Sequence, residues 1–225
     1  IVHWGSYGLE TRPAPKPSGT LVYPAEGNIN PMRGTLEAWL RPEFDPWSPE
    51  IDKVPLGKRG AFNNSFFLLR LRNRDHVGFY WNADDKGMRF FAFVGGKYPI
   101  ILGAKAPTMK KGKWSHVALV WGEEIRIYVD GRLTCRRKWR GLFGRPVSLE
   151  GAEIVIGGGR CDFVVDELRI SDAERVSFDL SRPPGRDRHT LLLDRLDCEF
   201  EPDGESGTSP EAGRPGVPSP ETAFV

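Results

Sequence analysis

The residue with the clearest chemical demand is Asp166. In FVVDELRI at 163–170, strand alternation places it on one face with Val164, Leu168 and Ile170, so a carboxylate stands in an apolar row. An unpaired charge there would cost several kcal/mol. It needs a partner, and two chemistries supply one: a Ca²⁺ ion, which gathers about six to eight oxygen ligands, or backbone N–H groups or an arginine. His116, in WSHVALVW at 114–121, shares the face of Trp114 and Ala118 and is expected to be a satisfied, buried histidine rather than a catalyst. Cys135, Cys161 and Cys198 lack the paired spacing of a zinc site. They are expected to be buried thiols, with one Cys135–Cys161 bridge as the other possibility.

Hydrolysis of a glycosidic bond with retention needs two carboxyl groups about 5–5.5 Å apart, a spacing that alternate positions on one strand supply. Glu123 and Glu124 fall at a turn, and Asp166 and Glu167 point to opposite faces. The chain carries no nucleophile elbow, phosphate-binding loop or H-E-x-x-H helix either, so it is expected to be non-catalytic. Arg136, Arg137, Lys138, Arg140 and Arg145 surround Trp139. Cations interleaved with an aromatic suit an acidic polysaccharide, and equally a solvated hairpin face. The Asn63-Asn64-Ser65 sequon is common by chance and carries no weight.

These residues sit on elements that the pattern declares to be strands. Short alternating or continuous apolar runs occupy 35–41, 66–72, 77–82, 89–94, 114–121, 125–130, 133–138, 153–156 and 163–170. Turn residues separate them, and Asp130-Gly131 is a strong hairpin signal because a type I′ turn needs positive φ at both positions. Both faces of 114–121 are apolar, which predicts an interior strand covered on both sides. Evenly spaced strands without helical periodicity give an all-β, antiparallel two-sheet sandwich.

With 225 residues, 26 of them Gly and 19 Pro, the chain has room for one large domain and an appendage. Residues 1–18 are expected to be an extended leader, 19–178 the main domain, 179–200 a linker plus an additional strand, and 201–225 a Pro/Gly-rich tail that stays mobile without a partner or spans between subunits. The net charge of +2 gives no overall drive toward nucleic acid. No stretch reaches the roughly 18–20 apolar residues of a membrane span. Ile1 and its surroundings resemble neither an initiator nor a signal peptide, so the chain is expected to be a processed product or a piece of a longer one.

Three segments together resemble the LamG-like, concanavalin A-like jelly-roll superfamily: GTLEAWLRP at 34–42, GKWSHVALVW at 112–121 leading into IRIYVDGR at 125–132, and FVVDELRI at 163–170. The likeness spans roughly residues 20–176. It implies a jelly-roll β-sandwich. The superfamily's laminarinase-type glucanases carry an E-x-D-x-x-E strand, and Asp194, Asp197, Glu199 and Glu201 do not reproduce its order. Related jelly rolls hold calcium between a last-strand aspartate and the N-terminal strand, which would make Asp166, Glu26, Asn28 and Asn30 a ligand set. Lectins of this fold stack sugars on aromatic side chains. That makes Trp47, Trp81, Trp139 and Trp4 candidates, with Asn82, Asp84, Asp85 and Arg137 as polar partners.

The family's domain-opening strand resembles TLLLDRLD at 190–197, which here follows the closing strand. Leu191, Leu192, Leu193, Leu196 and Phe200 are therefore candidates either to fold back on their own sheet or to join copies of the chain head to tail. The combined expectation is a non-catalytic, extracellular or cell-surface jelly-roll module. Its role is adhesive or structural, its partners other copies or neighbouring jelly-roll domains, with glycan binding as the alternative and glycoside hydrolysis a distant third.

Overall fold

The computed structural model describes residues 20–157 and 161–196. The expectations for the leader, for Trp4, Cys198 and Phe200, and for the tail lie outside them. The described residues form two six-stranded antiparallel sheets. The first runs in the order β1 (Thr20–Pro24), β10 (Glu153–Gly157), β3 (Asn64–Arg70), β4 (His76–Asn82), β5 (Gly87–Val94) and β6 (Lys97–Lys105). The second runs β12 (Thr190–Asp194), β11 (Phe163–Ser171), β2 (Gly34–Pro42), β7 (Ser115–Trp121), β8 (Glu124–Val129) and β9 (Arg132–Lys138). Between the sheets lie Leu36, Phe66, Phe79, Trp81, Phe90 and Trp121, all fully buried. Each such side chain contributes about 1.5–3 kcal/mol through removal from water.

Every strand expected from the pattern forms, and β7 is buried along its whole length as its two apolar faces require. The Asp130-Gly131 hairpin has the positive φ angles, 48° and 71°, of its turn type. Two strands were not foreseen, β1 and β6. Pro99 interrupts the signal of β6, and a proline is tolerated there because β6 is an edge strand.

The alternation expected for Asp166 is overturned by a bulge. Asp166 pairs with Trp39 and Arg169 with Glu37, so three steps on β11 oppose two on β2, and Glu167 takes a left-handed φ of 50°. The phase shift separates Asp166 from Leu168 and Ile170, which remain in the core. Asp166 instead lies on the outer face of the second sheet with Trp39 and His116. It is buried, and its Oδ1 accepts the Glu167 N–H at 2.8 Å.

That outer face is covered by residues 172–189. Phe178 packs against His116 and Tyr128 at ring separations of 4.9 and 5.2 Å. Beneath it Glu37, only 4% exposed, faces His116 Nε2 at 3.2 Å and accepts from Arg169 Nε at 2.7 Å. Arg169 also donates to the Gly185 carbonyl, and Arg175 pairs with Asp187 at 2.7 Å. His116 is thus buried as expected and hydrogen-bonded through Nε2, but its Nδ1 has no hydrogen-bond partner among the described residues, so the ring is satisfied on one side alone. Burial alone would raise the Glu37 pKa, but the hydrogen bond to His116 and the charge of Arg169 prevail and hold it below the usual carboxylate value.

Glu37→Ala leaves Arg169 and His116 buried without their acceptor, so it should lower unfolding free energy by about 3–5 kcal/mol in urea titrations. A carboxylate with a lowered folded-state pKa contributes stability that is complete above its unfolded value, 4.5, and is lost as pH falls through the folded value. Wild type should therefore lose stability progressively below pH 4.5, and the Ala variant should show a shallower loss over that window.

Candidate functional site

The outer face of the first sheet is organised differently. In the ladder register Val22 pairs with Val155, Val155 with Leu68, Leu68 with Gly78, Gly78 with Phe91 and Phe91 with Ile101. Directly opposed residues share a face, so these six form one apolar lane crossing all six strands, roughly 24 Å at about 4.8 Å per strand. Phe91 lies across Gly78, where a Cβ would come within 2.4 Å of the ring, and the glycine keeps the floor of the lane low.

Aromatic side chains line it. Tyr80 and His76 meet the Phe91 ring edge-on at 5.7 Å each, and Phe93 stacks on His76 at 4.9 Å. Tyr98 approaches Phe91 and Phe93 at 5.8 and 5.0 Å while remaining 55% exposed.

Polar groups flank the lane on both sides. On one, Arg89 Nε donates to Asp85 Oδ2 at 2.7 Å and Arg89 also interacts with the Tyr80 hydroxyl. Burial raises the Tyr80 pKa, with Arg89 opposing it, so the phenol stays a neutral donor and acceptor. Arg89 itself is held above its usual value: burial works against its charge, but the Asp85 carboxylate outweighs it. On the other side Arg70 Nη2 donates to Glu153 Oε2 at 2.9 Å, next to His76. At the β6 end Arg137 Nη1 reaches the Ile101 carbonyl at 3.5 Å. An apolar lane with donors and acceptors along both margins suits an extended ligand that is apolar on one face and hydroxylated at its edges.

A family model described as the concanavalin A-like lectin/glucanases superfamily, of laminin G type, matches residues 18–177. The chain belongs to that superfamily. Among solved structures it is similar to sheep galectin-11 in complex with glycerol, at 12% identity over 69% of this chain and 98% of that one, with a TM-score of 0.40. The galectin LEC-6 of Caenorhabditis elegans matches at 17% identity over 70% and 93%, TM-score 0.43. The carbohydrate binding module CBM66 from Bacillus subtilis matches at 15% over 62% and 74%, TM-score 0.39. No curated protein matches the chain.

Within this jelly roll the residues singled out from sequence scatter. Trp81 is fully buried, packed edge-on against Phe44 at 5.1 Å, and cannot reach a sugar. The parity that turns Tyr80 outward turns Trp81 in. Asn82 is also buried and organises the β4–β5 turn, its Oδ1 accepting from the N–H groups of Asp84 and Asp85. Asp84 Oδ1 accepts from Gly57 N at 2.9 Å. Trp47 is 39% exposed, donates to the Met109 carbonyl at 3.0 Å and has the Lys86 ammonium over its ring. Trp139 is half-buried and donates to the Leu142 carbonyl at 3.3 Å.

Only Arg137 and Asp85 of that group border the lane. Tyr80, Phe91, Phe93, Tyr98, His76, Arg70 and Arg89 were missed. For all but Arg70 and Tyr98 the signal lay in HVGFYWN and GMRFFAFV, where apolar residues occupy both parities and one parity exceeds what a core face requires.

Cys135 and Cys161 are free thiols, not a bridge. Cys135 on β9 and Cys161 beside β11 belong to strands separated by β2, β7 and β8. Burial pushes both pKa values up to about 11. The late strand folds back, Leu193 pairing with Arg169 and Leu192 with Ile170 of the same chain. Tyr23 Oη also donates to Asp194 Oδ2 at 2.6 Å, tying β1 to β12 across the edge of the sandwich.

The residues proposed for calcium do not fit one. Asp166 faces away from the core on the second sheet, whereas Glu26 and Asn28 follow β1 of the first. Asn28 Nδ2 donates to the Pro24 carbonyl, and Asn30 Oδ1 accepts from Met32 N. The Asn30 carbonyl meets Trp121, paired with Gly34, while Asp166 pairs with Trp39, about 16 Å further along β2. No cluster of three metal-ligating side chains occurs among the described residues. Scanning calorimetry should accordingly give the same Tm in millimolar Ca²⁺ and in chelator. A chelator-induced fall of more than about 4 °C, the equivalent of roughly 1–2 kcal/mol in a domain of this size, would restore the ion.

Proposed function

We propose that this is a non-catalytic glycan-binding module that recognises a linear oligosaccharide along the cross-sheet lane and serves extracellular recognition or adhesion. The observation that carries the reading is the register itself: six outward apolar residues in one row, the middle four buried and Val22 and Ile101 exposed at its ends, walled by Tyr80, His76, Phe93 and Tyr98, whose rings offer the contact surface. Pyranose rings present an apolar face to aromatic side chains, and their hydroxyls would meet Arg89, Asp85, Tyr80, Arg70 and Glu153 along the margins. Membership of a superfamily of lectins and glucanases supports the same chemistry. No helix among the described residues is long and apolar enough to cross a membrane.

Binding is favoured over hydrolysis by the placement of the acids. Asp85 and Glu153 are the carboxylates bordering the lane, and each is already engaged by an arginine. Glu153 lies on β10 and Asp85 by β5, three strand spacings or about 14 Å apart. That is well beyond the roughly 5–9.5 Å over which paired carboxyls act in retaining or inverting hydrolysis.

A glycan array followed by calorimetric titration tests the assignment. Tyr98→Ala and Tyr80→Ala should each weaken binding of a linear oligosaccharide about ten-fold, a loss of about 1.4 kcal/mol. Thermal stability should change little in Tyr98→Ala, since that ring is 55% exposed. Trp47→Ala should leave affinity unchanged. Equal losses at Trp47 and Tyr98, or no glycan bound at all, would remove the lane from consideration.

A further inference from the structure

Leu68 and Arg70 face outward on β3, and Arg72 continues their parity two residues beyond the strand. Arg72 stands in the turn that follows β3, beyond the Arg70 end of this column. It opens onto a cleft of about 370 Å³ at the end of the sandwich, whose lining includes Leu71, Arg72, Arg145, Pro146, Val147 and the acidic Glu150. That volume matches a small-ligand site.

Two guanidinium groups border the cleft, and they are held differently. Arg145 Nη2 donates to Asp75 Oδ2 at 3.1 Å, and the Asp75 side chain is 6% exposed. Asp75 is itself fixed by the N–H of Gly95 and by Asn73. Arg145 is thereby anchored at one edge. Arg72 meets Glu150 at a long 3.4 Å, with side chains 73% and 76% exposed. A solvent-screened pair of this kind contributes little, so an incoming anion displaces it at small cost. Leu71, Pro146 and Val147 give the same cleft an apolar lining beside the two arginines, a combination suited to a ring with one charged substituent.

Resting on the reading of the lane as a glycan site, we propose that this cleft binds a carboxylate-bearing sugar, such as a uronic acid, branching from the chain that lies in the lane. The lane's own charges are already paired as Arg89–Asp85 and Arg70–Glu153. Arg72 and Arg145 are paired as well, with Glu150 and Asp75, but the Arg72–Glu150 pair is the longest and most exposed of the four and so yields most readily to the forked contact of a competing carboxylate. The row of Glu153, Arg70 and His76 lies between the two regions and would carry the branch across.

The test uses the whole chain and three matched oligosaccharides: a neutral linear one, the same bearing a glucuronate branch, and that branch with its carboxyl reduced to an alcohol. The glucuronate form should bind about five-fold or more tightly than the other two, consistent with one charge-assisted contact. Arg72→Gln, at an exposed side chain, should abolish that advantage while leaving affinity for the neutral form unchanged. Tyr98→Ala should weaken all three ligands together. Equal affinity for the three in wild type, or an advantage that survives in both Arg72→Gln and a folded Arg145→Gln, would overturn the proposal. If none of the three binds, the lane reading fails by itself. The cleft is then decided by free glucuronate: shifts of the Arg72 and Arg145 Nε–H resonances uphold it, and their absence overturns it.

Discussion

Pleat parity across the first sheet decides what each of its faces can be. Val77, Phe79 and Trp81 on β4 must point inward to fill the core, and that commitment turns His76, Gly78 and Tyr80 outward. The ladder then passes the choice to each neighbour, since directly opposed residues lie on the same face. Leu68, Phe91, Val155 and Ile101 have no freedom to be elsewhere once the core is satisfied. A slip of one residue in any strand would send a lane residue into the core and a core residue to the surface. The lane is therefore as rigid as the core that fixes it, a condition for presenting aromatic rings to a ligand without an ordering cost.

The second sheet meets the same constraint with a different device. Its outer face carries Trp39, His116, Ala118, Val120 and Tyr128, too apolar to leave in water, and residues 172–189 cover it. Covering polar and apolar residues together creates the buried Glu37 network, where one carboxylate serves both His116 and Arg169. The bulge at Glu167 is part of this arrangement. It rephases β11 so that Arg169 opposes Glu37 on the outer face while Leu168 and Ile170 remain inside. Arg195 then engages the displaced Glu167 carboxylate, fastening the turn after β12 to the bulge. One sheet is thus sealed by its own chain, and the other carries an outward apolar row whose middle residues are buried among their neighbours and whose ends, Val22 and Ile101, are exposed.

The architecture was legible because alternation and turn chemistry act locally. Strands such as 114–121 and the Asp130-Gly131 hairpin carry their signals within ten residues. What alternation cannot reveal is a break in its own phase, and Asp166 was assigned to the wrong face because the bulge at Glu167 leaves no mark in FVVDELRI. The candidate site was largely illegible for a related reason. Tryptophan content drew attention to Trp81 and Trp139, yet the fold uses the first for the core and the second for a loop. The lane and its margins consist of ordinary residues, one to three from each of six strands, that become a site only through a register spanning residues 22 to 155. Arg137 and Asp85 were found because they stood in visibly polar runs, not because their geometry could be foreseen.

The shape of the lane also bounds how strongly one copy can hold a ligand. Aromatic contacts contribute about 0.5–1.5 kcal/mol each beyond their area, and exposed ion pairs at the margins about 0–1 kcal/mol. Rings with free outer surface, chiefly Tyr98 with the partly exposed Tyr80, Phe93 and His76, would together supply only a few kcal/mol. A dissociation constant of 1 mM already corresponds to −4.1 kcal/mol, so a contact this shallow holds its ligand no more tightly than about the millimolar range once the entropic cost of association is met. Affinity of that order serves adhesion only when several copies engage one polymer, because linked sites convert later contacts into intramolecular ones. Under the proposed reading a repetitive linear glycan would present identical subsites, and a shallow lane would then call for several copies engaging one polymer.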